Sequence, residues 1–354
     1  MTTRAHKGRG AITRDPGRFA KRTVDFDHAE SARRNAVAPE TTLTAMQAGK
    51  IISHNQSPDV PFDRSINPYQ GCEHGCIYCY ARPSHSYLDL SPGLDFETRI
   101  FYKPNAAARL LEEWEKPGYD CKPITIGANT DPYQPAEKST RITRQLLELF
   151  DRYSHPVNLI TKGGLVTRDL DLLERLARRN LCSVAISLPT MDPELKRIME
   201  PRVPSAEARL KAITALTDAG IPTSVLMAPL IPAINDAEIE AVLAAVASAG
   251  ASHAHFIFLR LPNEVRGLFV EWLETHFPDR AKRVMSLVRT AGGGRDYDNR
   301  FGLRQTGRGA YADMLGRRFN STCRRLGLAP DRYQQSLSCS LFERPGQQQL
   351  GLNL

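Results

Sequence analysis

Short apolar runs rich in β-branched residues alternate with amphipathic segments between about residue 64 and residue 260, and this alternation limits the fold most. The amphipathic segments, such as residues 168–179, carry apolar side chains at i, i+3, i+4 and i+7, which predicts helices. Alternating strands and helices predict βα units around a parallel sheet. Six units suffice for an open partial (β/α)6 barrel, whereas eight close a TIM barrel. The predicted strands are Ser65–Tyr69, Pro123–Gly127, Val157–Thr161, Cys182–Leu188, Thr223–Ala228 and His255–Leu259.

Two regions of different composition flank this α/β part. Residues 1–60 are basic and polar without a sustained apolar period, which predicts a mostly irregular, basic N-terminal arm. Residues 262–354 return to helical patterns around the glycine-rich stretch AGGGRDYDNRFG. We therefore expect an arm over 1–60, a partial barrel over 61–261 and a helical, arginine-rich C-terminal extension with a short tail over 262–354.

The composition indicates a soluble protein with a basic C-terminal part. Hydrophobic residues make up 41% of the chain and charged residues 24%, and no apolar run approaches the roughly 20 residues that span a bilayer. We expect a cytoplasmic protein without a membrane contact. The formal net charge is +8, and arginines are dense from Arg280 onward. Such a surface favours DNA or RNA as a partner, although a solvated face without a partner explains the charge equally well.

Three of the seven cysteines, Cys72, Cys76 and Cys79, lie within eight residues with the spacing C-x3-C-x2-C, after the first predicted strand. Three thiolates on one loop can each ligate one iron of a cubane cluster, which leaves the fourth iron open to a small chelating molecule. The alternative is a zinc site completed by His74 or His85. Zinc sites typically use separated C-x2-C pairs, so the spacing favours an iron-sulfur cluster.

The segment CEHGCIYCY resembles the signature of the radical S-adenosylmethionine (SAM) superfamily, C-x3-C-x-aromatic-C. Other segments narrow the resemblance to spore photoproduct lyase and its DNA repair photolyase-like relatives. They are SINPYQGCEHGCIYCYARPSH, IGANTDPYQPAEKSTRITR, LITKGGLVTRDLDLL, AISLPTMDPELKRIMEPRVPSAEARL and MAPLIPAINDAEI. The resemblance implies a partial barrel of the radical SAM type, a 4Fe-4S cluster, SAM, and a reductant such as flavodoxin or ferredoxin.

The resemblance also assigns roles to individual residues. It implies that the three cysteines bind the cluster, that Tyr78 packs near the adenine, and that residues 129–131 contact the SAM amine. Arg202 or Arg209 would pair with the SAM carboxylate. A tight turn at residues 129–132 and solvated arginines are the alternatives to these roles. The implied SAM contacts are Tyr78, Asn129, Thr130, Asp131, Thr161, Lys162, Ser187, Arg202 and Arg209.

The implied reaction is reductive cleavage of SAM to a 5'-deoxyadenosyl radical, which abstracts hydrogen from a substrate. Photoproduct lyases carry a hydrogen-donating cysteine at the end of the second strand, and the corresponding position here is Asn129. Cys323 or Cys339 from the extension could reach the site instead, with ordinary thiols of the extension as the favoured alternative. Nucleic acid is the first candidate substrate, and a peptide or small metabolite is the second. A non-catalytic, zinc-stabilised binding module is the remaining alternative.

The last six residues, QLGLNL (349–354), resemble the peptide with which bacterial DNA-repair proteins bind the replication sliding clamp. Leucines at i and i+2 of an extended tail can fill alternate pockets of a groove. We therefore predict a sliding-clamp contact, with an unbound tail as the alternative.

Overall fold

Ten strands build two sheets in the computed structural model, which describes residues 6–20, 40–330 and 336–346. The strands are β1 (Thr42–Ala45), β2 (Ile52–His54), β3 (Arg64–Ile66), β4 (Tyr69–Gln70), β5 (Arg99–Tyr102), β6 (Ile124–Ile126), β7 (Val157–Thr161), β8 (Cys182–Ser187), β9 (Thr223–Leu230) and β10 (His253–Phe258). The larger sheet has the order β10-β9-β8-β7-β6-β3-β2. Its strands β3 and β6 to β10 are parallel, and β2 is antiparallel to β3 at the edge.

Helices lie between the successive parallel strands, and three more follow the last strand in the described part of the chain. They are α1 (Leu94–Thr98), α2 (Ala106–Glu115), α3 (Glu137–Thr140), α4 (Ile142–Arg152), α5 (Leu170–Arg178), α6 (Pro193–Met199), α7 (Ala206–Asp218), α8 (Ile239–Ser248), α9 (Glu264–His276), α10 (Pro278–Ala291) and α11 (Ala310–Arg325). The predicted α/β fold with a parallel sheet is confirmed, and the sequential strand order is the one that an open (β/α)6 barrel requires.

The first predicted strand is divided between the two sheets. The expected strand Ser65–Tyr69 is β3 followed by β4, and β4 belongs to a small sheet of order β1-β5-β4. Pro68, which has no N–H, separates the two strands. The arm predicted to be mostly irregular contains the strands β1 and β2. They form because β1 pairs with β5 and β2 pairs with β3.

The amphipathic helices form the core in the way their period predicts. On α4, Leu146, Leu147 and Phe150 are fully buried. They belong to one large cluster that includes side chains from β6 to β10 and from α11. A second cluster joins Cys76, Ile77 and Tyr78 to the helices α9 and α10. The C-terminal extension therefore packs against both the barrel-like sheet and the cysteine segment.

The C-terminal extension also covers the edge strand β10. The N–H of Ala254 donates to the carbonyl of Ala329 at 3.0 Å, and that of Phe258 donates to Gln305 at 2.7 Å. In the loop between β2 and β3, the Asp59 carboxylate accepts a hydrogen bond from the Gly302 N–H and forms an ion pair with Arg304. The extension thus links the last parallel strand to the β2–β3 loop.

Two further predictions concern membrane spans and the C-terminal tail. None of the helices in the described part combines the length and apolar character needed to cross a lipid bilayer. Residues 349–354 lie outside the described residues, so the sliding-clamp contact stays a prediction.

The C-terminal segment 336–346 is attached to the barrel through an aromatic cluster around His155. The His155 ring stacks on Trp114 with a centroid distance of 4.6 Å and contacts the Phe342 ring at 4.9 Å. Its Nε2 lies 2.8 Å from the Tyr119 hydroxyl. Burial lowers the pKa of His155 to about 3, so the folded protein holds this ring neutral at physiological pH.

We predict that His155 makes the folded state sensitive to mild acid. Because the folded pKa lies below the ordinary value of 6.5, its contribution to stability is complete above pH 6.5 and is lost as the pH falls toward 3. The free energy of unfolding should fall by about 2 kcal/mol between pH 8 and pH 5 through this residue. Urea unfolding at both pH values should show this loss to be smaller by that amount in His155→Phe. An equal loss in both proteins would contradict the prediction.

Candidate active site

The candidate site lies where the parallel strands end, on the loop of residues 71–80, here called the cysteine loop. The loop is closed by short turns, since the Gly75 N–H donates to the Cys72 carbonyl at 3.3 Å and the Cys79 N–H to Cys76 at 3.2 Å. Gly75 has a φ of +67°, and a Cβ there would lie 2.7 Å from a Glu97 carboxylate oxygen. A glycine is therefore required at this bend.

The three predicted metal ligands lie close together on this loop. Cys72 and Cys76 are buried, and all three thiols are free. Burial raises the pKa of Cys72 well above its usual value, and Cys76 and Cys79 raise it further by like charge. Burial also raises the pKa of Cys76 to about 12, against the opposing effect of Lys162. Bound iron would instead lower the pKa of these thiols, because a metal ion stabilises the thiolate form.

The donor chemistry fits a cluster better than a single ion. As they stand, no three His, Cys, Asp or Glu side chains of the described residues are arranged around one metal ion. The Nε2 of the proposed zinc ligand His85 lies 3.0 Å from the Arg99 carbonyl, and its buried Nδ1 has no hydrogen-bond partner within the described residues. His74 instead pairs with Asp131 at 3.3 Å. These thiols could therefore hold an iron-sulfur cluster, whereas neither histidine completes a zinc site in this arrangement.

Asp131 is the centre of a polar network beside the cysteine loop. Its carboxylate accepts hydrogen bonds from the Thr161 hydroxyl at 2.6 Å and from the Lys162 N–H at 2.7 Å. It also accepts the Tyr133 N–H at 2.9 Å, as a turn-forming Asp does. Burial alone would raise the pKa of Asp131, but the charge and hydrogen bonds of His74, Thr161 and Lys162 lower it to about 2. The carboxylate is charged and already has several partners.

A second network contains Tyr78, Glu200 and Arg209. The Tyr78 hydroxyl donates to the Glu200 carboxylate, which forms an ion pair with Arg209 at 2.9 Å. Arg209 also donates to the Ser187 carbonyl at 2.9 Å. The Nε and Nη2 of Arg209 are buried and find no hydrogen-bond partner within the described residues. A buried guanidinium with two unused donors is suited to an anionic ligand.

Lys162 lies between the two networks. Its ammonium is 5.9 Å from the centroid of the Tyr78 ring. Burial alone would lower the pKa of Lys162, but Cys76, Glu200 and Asp131 raise it above the ordinary value. The ammonium therefore stays charged beside the thiols.

Other predicted SAM contacts have structural partners of their own. The Thr130 hydroxyl donates to the Tyr69 carbonyl at 2.8 Å, and the Asn129 N–H donates to Asn67. The Ser187 hydroxyl donates to the Ala228 carbonyl at 3.3 Å. Arg202 pairs at 3.3 Å with Glu73, a buried residue of the cysteine loop.

An aromatic and basic cluster at the mouth of the site was not predicted from the sequence. Tyr80 is 44% exposed, its hydroxyl donates to the Ala128 carbonyl, and Arg260 lies 5.1 Å from its ring centroid. Arg260 also donates to the Tyr297 hydroxyl. Phe301 is 57% exposed, and the Arg304 guanidinium lies 4.6 Å from the centroid of its ring. Tyr80 follows the last cysteine directly, which is the only local signal for this cluster.

The arginines of the C-terminal extension fall into two groups. Several form ion pairs with acids, namely Arg289, Arg300, Arg304, Arg308 and Arg318. Others are exposed and form no ion pair within the described part, namely Arg280, Arg283, Arg295, Arg317, Arg324 and Arg325. The second group keeps its charge available to solvent or to a ligand.

The suggestion that Cys323 or Cys339 reaches the site is wrong. Cys323 is fully buried in the main core, where burial raises its pKa to about 11. Cys339 interacts with Cys121. Because Cys121 precedes β6, it lies at the amino ends of the parallel strands, whereas the cysteine loop lies at their carboxyl ends. Neither thiol is available to a substrate at the carboxyl ends of the strands.

Known proteins match about two thirds of the chain. It is 38% identical over 232 residues to uncharacterized protein Mb2609c of Mycobacterium bovis, which covers 65% of this chain and 68% of that protein. It is 27% identical to uncharacterized protein MJ0683 of Methanocaldococcus jannaschii, over 67% of this chain and 84% of the relative.

The solved structure of spore photoproduct lyase complexed with dinucleoside spore photoproduct has a similar fold. The TM-score is 0.60 at 17% identity, over 87% of this chain and 86% of that one. A spore photoproduct lyase variant with bound AdoMet and the same dinucleoside matches equally, with a TM-score of 0.60. The family profile of the radical SAM superfamily matches residues 66–246. The chain therefore belongs to the radical SAM superfamily, and it is an enzyme of the kind that uses a 4Fe-4S cluster and S-adenosylmethionine.

Proposed function

We propose that Cys72, Cys76 and Cys79 hold the 4Fe-4S cluster of this enzyme and that the enzyme acts on nucleic acid. The observation that carries the first part is the presence of three free, mutually interacting thiols on one loop at the carboxyl ends of parallel strands. When bound, the cluster and SAM supply a 5'-deoxyadenosyl radical that abstracts a hydrogen atom from the substrate. The free thiols also suit a reducing compartment, so we propose a cytoplasmic location.

We propose that Arg209 binds the SAM carboxylate and that Arg202 does not. Arg209 offers two unused buried donors, whereas Arg202 is engaged by Glu73. Tyr78 and Lys162 would border the same space, with Glu200 holding both Tyr78 and Arg209 in position. The roles of Asn129, Thr130, Asp131, Thr161 and Ser187 would then be to shape this space through their own hydrogen bonds.

Nucleic acid is the proposed substrate class because aromatic and basic side chains lie together at the mouth of the site. Exposed aromatic rings such as Tyr80 and Phe301 can stack on bases, and unpaired arginines can bind phosphates. Spore photoproduct lyase, a structural relative, was solved with a dinucleoside lesion. A role in DNA repair and a lyase reaction follow from this likeness as parts of the proposal. Deuterium transfer from labelled oligonucleotides into 5'-deoxyadenosine would test the substrate directly.

We predict that the three cysteines of the loop are required for the cluster. After anaerobic reconstitution, the wild-type chain should hold about four irons and four sulfides, and Cys72→Ala, Cys76→Ala and Cys79→Ala should each lose most of both. Cys121→Ala is the matched control and should keep them. Dithionite and SAM should then yield 5'-deoxyadenosine only with the wild type and the control. Equal iron and sulfide in all variants would refute the assignment.

We predict that Arg209→Lys weakens SAM binding about tenfold, because lysine keeps the charge but loses the forked hydrogen-bonding geometry. Arg202→Lys serves as the control and should change the Kd little. Anaerobic calorimetry with the reconstituted enzyme would measure both values, and circular dichroism would check that the variants are folded. If Arg202→Lys weakened binding and Arg209→Lys did not, the assignment would have to be reversed.

We predict that Arg283 and Arg295 contribute to nucleic-acid binding. Arg283 lies near Tyr311, whose hydroxyl contacts Asp236 beyond the end of β9, and Arg295 lies in the loop that contains Tyr297 and Gln305. The double variant Arg283→Gln, Arg295→Gln should make the negative slope of log K against log salt shallower by about 1.5. The control, Arg152→Gln with Arg178→Gln on α4 and α5, removes the same charge. Equal slopes in both variants, or no binding of DNA or RNA by the wild type at low salt, would contradict the proposal.

A further inference from the structure

The described N-terminal segment, residues 6–20, lies across the cysteine loop. The N–H groups of Gly10 and Ala11 donate to the two carboxylate oxygens of Glu97, at 3.0 and 2.8 Å. Arg9 donates to the Glu97 carbonyl at 3.0 Å. Ala11 is fully buried in the same apolar cluster as Cys76, Ile77 and Tyr78. A segment far away in sequence therefore packs directly on the loop of the proposed metal ligands.

The same Glu97 carboxylate forms a buried ion pair with Arg82, and both side chains are completely inaccessible to solvent. Arg82 also donates to the carbonyls of Cys76 at 3.0 Å and Gly75 at 3.2 Å, within the cysteine loop. Its remaining bonds are to the carbonyls of Pro92 at 3.1 Å and Gly93 at 3.0 Å. One ion pair thus binds the cysteine loop on one side and the N-terminal segment on the other.

The contact between the segment and the loop has no room for a side chain at Gly10. A Cβ placed there would lie 1.9 Å from the Gly75 carbonyl oxygen, which is a backbone atom of the cysteine loop. Further along the segment, the Leu94 N–H donates to the Thr13 carbonyl at 3.1 Å, and the Thr13 hydroxyl donates to Glu271 on α9 at 3.1 Å. The segment is therefore held between the cysteine loop, α1 and α9.

We propose that Arg82 and Glu97 are positioning residues for the iron-sulfur cluster and that residues 9–13 form a cover which they hold over the cysteine loop. The inference depends on the proposed function, namely that the loop cysteines bind the cluster. Arg82 fixes the carbonyls of the loop, and Glu97 fixes the backbone of the cover. The cover keeps water and dissolved oxygen from the loop, where they would otherwise reach the cluster.

The cover can be displaced by one substitution that leaves the ion pair and the cysteines intact. Gly10→Ala should push residues 9–13 away from Gly75 and raise the amide hydrogen exchange of residues 10 and 11. In air, the reconstituted variant should lose its cluster absorbance about tenfold faster than the wild type. Gly49→Ala is the matched control, because nothing lies within 4 Å of its added Cβ and its φ is not in the left-handed region. It should behave like the wild type in both measurements.

Arg82→Lys tests the positioning pair separately. Lysine keeps a positive charge but lacks the forked geometry that reaches several carbonyls, so the exchange of residues 75–77 should rise together with that of residues 10 and 11. The electron paramagnetic resonance signal of the reduced cluster should broaden, which a distant structural effect would not cause. Unchanged exchange in both variants, or faster exchange without faster bleaching, would overturn the inference. A wild type that takes up no iron and sulfide would refute the proposed function. Hydrogen exchange is measured on the metal-free protein, so it tests the contact between residues 9–13 and the cysteine loop in either case.

Discussion

The buried guanidinium of Arg82 is the interaction on which the cysteine loop depends. The loop has no helix or strand of its own, so its carbonyl groups need donors from elsewhere. Arg82 supplies them to two loop residues and to two residues before α1, and Glu97 balances its charge. Burying an arginine is costly unless every N–H is paired, and here the guanidinium is fully used. Arg82 consequently fixes the loop, because moving its guanidinium away would leave the loop carbonyls without its hydrogen bonds and the Glu97 carboxylate without its ion pair.

Two further polar networks repeat this arrangement from other parts of the fold. His74 of the loop pairs with Asp131 after β6, and Tyr78 donates to Glu200 after α6. Three different regions of the chain therefore converge on one loop, each through a buried carboxylate. A purely apolar contact would hold the loop in place but would not fix its orientation, because dispersion forces are not directional, whereas these hydrogen bonds are. Such preorganisation is what a cofactor site on a loop requires.

The sequence predicted the parallel strands well and the polar networks poorly, and the ligand role of the three cysteines stays a prediction. The strand Val157–Thr161 was predicted with the bounds that the structure has, because the signal is local and β-branched. The strands β1 and β2 were missed, since they exist only through pairing with β5 and β3. Glu97 was missed for the same reason: its partners Gly10 and Ala11 are more than eighty residues away. Charged residues are usually exposed, so nothing local indicates a buried Arg82 or Glu200.

The position of the remaining cysteines restricts what happens after hydrogen abstraction. Asn129, the position to which the sequence resemblance assigns the hydrogen donor of photoproduct lyases, is exposed, and Cys323 and Cys339 lie in the core and near the amino ends of the strands. Within the described residues, then, no thiol lies at the carboxyl ends of the parallel strands apart from the three proposed cluster ligands. In the proposed reaction, a product radical formed there would take its hydrogen atom from a group other than a cysteine of this region, or would be consumed by a step that needs none.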